Sequence, residues 1–231
     1  MAGRLKKITP VNLRDHFLSV DRQLKAWRKA NRKMKWGISD LELHRLPETP
    51  ELKPDDLYEG FEGVVLSYGF GDDGHGNSDA VLSGKLAWDF AKNRIFLKTW
   101  QCRYIDFSKS DYFRLRPGAP PRPKGFYFSK LHTGAAYQSL SVSRLIKKLK
   151  KNTGCGPECV QFLTITHPHF AKMMNKRLIP FMAFADYDVA PYGFNDFFDA
   201  MQMFCSNDTL GLGIGNVDRN YPFFGIPVLR F

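Results

Sequence analysis

Apolar positions between residues 9 and 36 recur at alternating spacings of three and four, which predicts one long helix. The stripe consists of Leu13, Phe17, Val20, Leu24, Trp27 and Met34. Thr9 and Pro10 suit the start of such a helix, and Gly37 is a natural stop. We expect the apolar seam to pack on the body of the protein, on a protein partner or on a second copy of the chain.

The next part of the chain alternates in a way that is typical of strands. Residues 44–60 contain three prolines among acidic residues and predict a linker, because proline lacks the N–H and fixes φ. Antiparallel strands are predicted in the β-rich part, residues 61–131, at 61–70, 80–90, 94–105 and 125–131. A basic, proline-rich loop is predicted in front of the last of these strands.

From residue 141 onward the pattern changes. Ser141 suits the cap of a short helix, and three apolar runs alternate with two helical patterns. Strands are predicted at 160–166, 180–185 and 210–215, and helices at 168–177 and 195–205. Such alternation indicates parallel strands joined by helical crossovers.

The pattern as a whole predicts an α+β protein in three parts. A basic amphipathic helix occupies residues 1–43, the linker follows at 44–60, and a mixed α/β domain occupies 61–231. The last part of that domain, residues 141–231, is predicted to be a βαβαβ unit with a partly parallel sheet.

Polar residues follow each strand of the predicted βαβαβ unit. His167 follows the first strand, Asp186 and Asp188 the second, and Asp218 the third. The carboxyl ends of parallel strands meet at one edge of a sheet, where open α/β sheets bind their ligands. The sequence therefore predicts catalytic roles for His167, Asp186 and Asp188, and Mg²⁺ or Mn²⁺ ligation by Asp186, Asp188 and Asp218.

The acidic pair also allows a second interpretation. If Arg219 or His167 lies between Asp186 and Asp188, the edge is structural. The segment 180–198 resembles the second acidic motif of Toprim-type phosphoryl-transfer domains, in which paired aspartates hold Mg²⁺. The resemblance covers about 20 residues, and the glutamate that this family needs at the end of an earlier strand is missing, so the family is not assigned.

The uneven distribution of positive charge indicates what kind of partner the protein binds. The net charge is +11, and residues 1–37 carry eleven Lys/Arg against two Asp, which favours a polyanionic partner such as nucleic acid. Arg114, Arg116, Arg122 and Lys124 of the proline-rich loop are candidates to extend this surface. The predicted nucleic-acid contacts are Lys25, Arg28, Lys29, Arg32, Lys147, Lys148 and Lys150.

The apolar runs and the four cysteines of the sequence indicate the cellular compartment and whether a zinc site is expected. No apolar run is long enough to span a bilayer and no secretory signal is visible, so we expect a cytoplasmic protein with free thiols. Cys155 and Cys159 with His167 and His169 offer four zinc-type ligands, but their spacing is not a common zinc pattern, and we expect free thiols there instead.

These observations lead to two functional hypotheses from different classes. The first is a polyanion-binding protein, associated with nucleic acid, with a metal-assisted phosphoryl-transfer site on the acidic edge. The second is a non-enzymatic interaction or structural protein that docks on a partner or on a second copy through its amphipathic N-terminal helix. Whether the protein is an enzyme stays open at this point.

Overall fold

The computed structural model describes most of the chain. The described residues are 12–70, 78–94, 98–109, 112–116, 119–120, 122–138, 140–148, 153–154, 156–176, 178–190, 199–220 and 223–230. Both helices and mixed sheets are present, which confirms the α+β class. None of the helices within the described residues is long and apolar enough to cross a membrane.

Seven α-helices lie within these residues. They are α1 (Val20–Met34), α2 (Asp40–His44), α3 (Pro54–Tyr58), α4 (Ser78–Arg94), α5 (Val142–Ile146), α6 (Cys159–Gln161) and α7 (His169–Asn175). Two 3₁₀ turns, Leu13–His16 and Ala135–Tyr137, and a π-helical turn, Phe162–Thr166, complete the helical structure of the described residues.

Ten strands form two sheets. They are β1 (Gly63–Gly69), β2 (Lys98–Gln101), β3 (Phe113–Leu115), β4 (Gly125–His132), β5 (Thr153–Gly154), β6 (Phe181–Val189), β7 (Asp199–Ser206), β8 (Thr209–Asn216), β9 (Phe224–Gly225) and β10 (Val228–Arg230). The first sheet has the order β1-β4-β10-β5 and is antiparallel throughout.

The second sheet has six strands in the order β2-β8-β7-β6-β3, with β9 paired beside β6. The central β6-β7-β8 meander is antiparallel, whereas β2 pairs with β8 and β9 pairs with β6 in parallel. The predicted βαβαβ unit is therefore wrong, because the strands β6 and β8 are joined through the antiparallel strand β7 and not through a helical crossover.

Two predicted elements of that unit have the opposite secondary structure. The segment 160–166, predicted as a strand, is helical and lies in α6 and the π-helical turn. The predicted helix 195–205 is β7 over Asp199–Ser206, and its first residues lie outside the described ones. Residues 160–166 are buried throughout, so a continuous apolar run did not distinguish a strand from a helix there.

Helix α4 replaces the strand predicted at residues 80–90. Val81, Ala87, Trp88 and Ala91 are all buried on one side of the helix, whereas the apolar Leu82 and Leu86 lie outside that side. The strand predicted at 94–105 shortens to β2, whereas β1 and β4 match the predicted first and last strands of this part.

Helix α1 is shorter than the predicted helix over residues 9–36. Phe17 is extended, and its ring lies against Gly63 so closely that a Cβ atom at Gly63 would overlap it. The ring also contacts Phe162 and Phe170 at centroid distances of 5.9 and 5.1 Å. Insertion of Phe17 into the core therefore interrupts the helix, although its position on the apolar stripe was correctly recognised.

The end of the N-terminal helix also differs from the expectation. Lys35 has a φ of 55° and closes α1 in the left-handed conformation, two residues before the predicted stop at Gly37. The expected capping by Thr9 and Pro10 lies outside the described residues.

The free edge of β1 is covered by side chains instead of a further strand. The amide of Gln23 donates to the carbonyl of Val64 (2.9 Å) and accepts from the N–H of Leu66 (2.7 Å). The indole of Trp27 donates to the carbonyl of Leu66 at 3.0 Å. An exposed edge of this kind would otherwise invite pairing with another chain. The same contacts fix α1 on the sheet.

Further along the same edge, the side-chain amide of Gln161 binds the backbone of β1. Gln161 of α6 accepts from the N–H of Tyr68 (3.0 Å) and donates to its carbonyl (2.9 Å). The hydroxyl of Ser83 donates to the same carbonyl at 3.2 Å. Side chains thus satisfy outward-facing backbone groups from Val64 to Tyr68, as buried backbone groups require.

The segment predicted as a linker is held against the first sheet. Asp56 of α3 is buried and forms ion pairs with Lys130 of β4 (2.6 Å) and Arg230 of β10 (2.8 Å). Arg230 also pairs with Glu59. Residues 44–60 therefore contribute a short helix and a buried carboxylate to the four-stranded sheet.

One large hydrophobic cluster joins α1, α4 and α7 to both sheets, with Trp27 and Trp88 fully buried in it. A smaller cluster joins α5 to the second sheet and consists of Phe61, Val142, Leu145, Ala183, Ala185, Ala200, Ile226 and Val228. Ser141 caps α5 by accepting from the N–H of Arg144, as the sequence predicts.

Candidate functional site

The packing of α1 determines which of its side chains face water. Gln23, Trp27 and Ala30 are buried against β1 and the π-helical turn. These three positions lie on one side of the helix because an α-helix turns by about 100° per residue. The apolar side of α1 is therefore part of the chain's own core, and the opposite side is left exposed.

The exposed side of α1 carries a strip of positive charge. Its exposed cations are Arg22, Lys25, Lys29, Arg32 and Lys33. At the angular spacing of an α-helix they fall within an arc of about 100° and extend over about 16 Å of the axis. Arg28 lies half-buried at the margin of the strip. We call these six residues the basic strip.

The basic strip has little opposing charge. Asp21 in the first turn is the one acidic residue of α1, and no cation of the strip forms an ion pair with another described residue. Cations without partners keep their attraction for an external anion, because no internal carboxylate neutralises them. The strip can therefore bind phosphate groups without first breaking an ion pair.

The second predicted basic group lies on a different part of the molecule. Lys147 and Lys148 are exposed directly after α5. Helix α5 packs in the smaller hydrophobic cluster, whereas α1 packs in the larger one. Lys150 lies outside the described residues.

The predicted acidic pair is buried and already holds arginines. Asp186 forms an ion pair with Arg122, and Arg122 also pairs with Glu158 at 2.7 Å. Asp188 pairs with Arg116 at 2.5 Å and, more distantly, with Arg114 at 3.6 Å. The expectation that Arg219 or His167 would bridge the pair is wrong. The bridging arginines come from the proline-rich loop instead.

Two glycines bring the backbone close to the carboxylates of these ion pairs. A Cβ atom at Gly154 would overlap the carboxylate of Asp186, and one at Gly156 would overlap that of Glu158. Burial alone would lower the pKa of Arg122, but the ion pairs with Glu158 and Asp186 raise it above its ordinary value. The guanidinium therefore stays charged and occupies the position that a cation would take.

The described residues contain no group of three or more His, Cys, Asp or Glu side chains that could hold a metal ion. Asp218 is exposed in the turn after β8, where its N–H donates to Asn216 at 2.9 Å. The proposed Mg²⁺ or Mn²⁺ site of Asp186, Asp188 and Asp218 therefore finds no support. A buried pair that is already neutralised by arginine does not need a metal.

His167 is a structural residue in this fold. It is completely buried, its Nε2 accepts from the N–H of Leu18 at 3.0 Å, and its Nδ1 lies 2.9 Å from the hydroxyl of Thr166. Burial, with a smaller effect of His169, lowers the pKa of His167 to about 3. A neutral imidazole that accepts from the backbone holds the N-terminal segment in place.

The cysteine expectation needs a correction as well. Cys159 is disulfide-bonded, so it is neither the predicted free thiol nor a thiolate ligand for zinc. Cys102 and Cys205 are free. Cys155 lies outside the described residues.

A cavity of about 380 Å³ lies beside α7 and β7. Its lining includes Met174, Leu178, Phe181, Cys205 and Phe223 but, among the described residues, no carboxylate, imidazole or amine. Burial raises the pKa of the Cys205 thiol to about 11, so this thiol is protonated and unreactive at neutral pH.

Sequence reasoning missed the role of Arg116 and Arg122. Both were expected to face a phosphate, but both are buried. Their ion pairs join residues separated by up to 72 positions in the chain, and no local pattern reports such a contact. The proline-rich loop and two aspartates in an apolar strand were the available signal, since buried carboxylates need partners.

Comparison of the chain with known protein families, with curated proteins and with solved structures found no match.

Proposed function

We propose that this protein binds nucleic acid through the basic strip of α1. The observation that carries the proposal is the pairing state of the cations. Those of the strip are free of ion pairs within the described residues, and all but Arg28 are exposed, whereas Arg116, Arg122 and Arg230 are engaged with carboxylates. Phosphate contacts by such cations supply most of the non-specific affinity for nucleic acid, because they release condensed counterions.

The dimensions of the strip agree with this use. Five exposed cations along about 16 Å of helix can reach two or three successive phosphates of one strand. The helix is anchored by Gln23 and Trp27, so binding requires no reorganisation of its backbone. A rigid, exposed array of cations favours a phosphate backbone over a single small anion.

The proposal does not extend to phosphoryl transfer. Asp186 and Asp188 are engaged by arginines, and an enzymatic role would require that both ion pairs break. Docking of a partner through the apolar side of α1 gains no support either, because Trp27 and Ala30 are completely buried in the chain's own core.

The test is binding of a labelled mixed-sequence oligonucleotide, followed by fluorescence anisotropy at about 50 mM salt. We expect micromolar-range affinity for the parent and at least about tenfold weaker binding for the triple variant Lys25→Gln, Lys29→Gln, Arg32→Gln, which loses up to three phosphate contacts. The stability of the triple variant should equal that of the parent, because all three side chains are exposed.

The matched control removes the same charge elsewhere. Arg45, Lys92 and Lys172 are exposed and lie on three different helices or their ends. Their simultaneous replacement by glutamine should weaken binding far less than the triple variant of α1. Equal weakening by both sets, or no binding by the parent, would refute the proposal. A separate Lys147→Gln, Lys148→Gln variant decides whether the group after α5 contributes.

A further inference from the structure

An aromatic row crosses the second sheet in register. Trp100 of β2 lies opposite Gly211 of β8, and Gly211 lies opposite Phe204 of β7. Phe204 contacts Phe181 of β6 at a centroid distance of 5.8 Å, and Phe181 contacts Phe224 of β9 at 5.4 Å. At the usual spacing between strands, the row extends over about 19 Å.

Glycine makes the row continuous. A Cβ atom at Gly211 would overlap the ring of Phe204, so only glycine lets that ring lie over β8. Because β8 has no side chain at Gly211, the rings of Trp100 and Phe204 approach each other across this strand, to a centroid distance of 5.8 Å. The two side chains thus form one aromatic surface over a floor of backbone.

The row is open at the Trp100 end. Trp100 is 49% exposed, whereas Trp27 and Trp88 are completely buried. Phe204 and Phe181 are half-buried. Helix α5 covers another part of the same sheet, through contacts that include Ala183 and Ala200 of the smaller cluster. The indole therefore presents an aromatic surface to solvent beside rings that are already held by the sheet.

The neighbouring row of the same face is polar. Lys98 lies opposite Thr209, and Thr209 lies opposite Ser206. Side chains two residues apart on a strand share a face, so these three flank the aromatic row directly. Among the described β2, β7 and β8 positions on this face, Lys98 is the one charged residue, and a cation next to an exposed indole suits an anionic, aromatic ligand.

We propose that this aromatic row is a stacking site for the bases of single-stranded nucleic acid, with the phosphate backbone running along Lys98, Thr209 and Ser206. The inference rests on the proposed function for the class of ligand, but it concerns a different surface from α1. Unpaired bases offer an open face to an aromatic side chain, and stacking tolerates any base, whereas duplex bases are already stacked on each other.

The test uses fluorescence of tryptophan and an oligothymidylate, compared with a duplex of mixed sequence. Trp100 is the most exposed of the four tryptophans, so stacking should quench the emission of the parent on titration with the single strand. Trp100→Leu keeps an apolar side chain and should weaken single-strand binding about 5- to 100-fold, with duplex binding unchanged. Tyr58→Leu, at an exposed aromatic residue on α3, is the control and should bind like the parent.

The outcomes separate the two proposals. If the parent binds duplex and single strand but shows no quenching, and Trp100→Leu binds like the parent, the stacking site is wrong and the basic strip stands. If Trp100→Leu weakens single-strand binding while the α1 triple variant has no effect, the stacking site stands and the basic strip is wrong. A dimer in light scattering that Trp100→Leu dissociates, without quenching by nucleic acid, would assign the row to contact between copies of the chain and overturn the inference.

Discussion

Replacement of Gln23 by leucine tests how the basic strip is held on the body of the protein. Gln23 is 1% exposed, and its amide forms three hydrogen bonds, to the carbonyls of Leu18 and Val64 and from the N–H of Leu66. Leucine has a similar size and helix propensity but cannot make any of them. The change therefore removes polar contacts while it preserves the helix.

The magnitude follows from the groups that are left behind. The Leu66 N–H and the Val64 carbonyl become buried without their amide partner, and each such group costs about 1–3 kcal/mol. Burial of the additional apolar surface of leucine offsets about 1 kcal/mol of this loss. We expect the free energy of unfolding to fall by about 1–5 kcal/mol, which is a large part of the total of a domain of this size.

Urea unfolding followed by far-ultraviolet circular dichroism measures this loss directly. Lys25→Leu is the control, because Lys25 is exposed on the same helix and should change the free energy of unfolding by less than about 0.5 kcal/mol. Hydrogen exchange at the Leu66 amide adds a local readout, with faster exchange expected in the Gln23 variant. Equal stability of the two variants, with an unchanged Leu66 amide, would show that α1 is not anchored on the edge of β1.

Three further predictions concern other parts of the structure. Because the pKa of folded His167 is about 3, below its ordinary value of 6.5, the folded state binds fewer protons, and stability should fall as pH decreases below about 6 by up to about 1.4 kcal/mol per pH unit. His167→Gln should make that decline shallower in urea titrations at several pH values, and an unchanged slope would contradict the assignment. Arg122→Met removes the ion pairs of two buried carboxylates, Asp186 and Glu158, and should cost about 3–5 kcal/mol in chemical unfolding; a loss below about 1 kcal/mol would show that the ion pairs are unimportant. Gly211→Ala should lower the melting temperature because its Cβ atom overlaps Phe204, whereas Gly213→Ala, with 3.5 Å to the same ring, should be tolerated; equal melting of both variants would refute the packing of the row.

The sequence predicts five elements in the right places. The apolar stripe of α1 marks its one buried side, and β1, β4, β6 and β8 coincide with the predicted strands at 61–70, 125–131, 180–185 and 210–215. The stripe does not show where α1 begins, however. It includes Phe17, but Phe17 is extended and its ring packs against Gly63, and only this tertiary contact excludes Phe17 from the helix.

Three other segments have a secondary structure that the sequence pattern does not predict. The π-helical turn is buried throughout, so its apolar residues show neither the period of two nor the period of 3.6. Leu82 and Leu86 of α4 lie outside its buried side, so apolar residues do not mark that side alone. The interpretation of β7 as a helix turns the antiparallel meander of β6, β7 and β8 into a parallel unit, and the predicted acidic edge depends on that topology. The pairing of Asp186 and Asp188 with distant arginines follows from the fold alone and had no local signal.

The basic strip could be predicted from the sequence, whereas the aromatic row could not. The charge of Lys25, Lys29 and Arg32 is visible in the sequence, and their exposure follows from the opposite, apolar side of the helix. The aromatic row had no such pattern, because Trp100, Phe204 and Phe181 lie on separate strands and meet only through their register.

The salt dependence of nucleic-acid binding measures how many phosphates the basic strip contacts. The slope of the logarithm of the binding constant against the logarithm of salt concentration counts phosphate contacts, at about 0.7 per contact for single strands and about 0.9 for duplex. For the variant Lys25→Gln, Lys29→Gln, Arg32→Gln, the account predicts a duplex slope shallower than that of the parent by about 2 to 3. The Arg45, Lys92 and Lys172 variant should retain the slope of the parent. Identical slopes for the parent and the α1 variant would contradict binding through the basic strip.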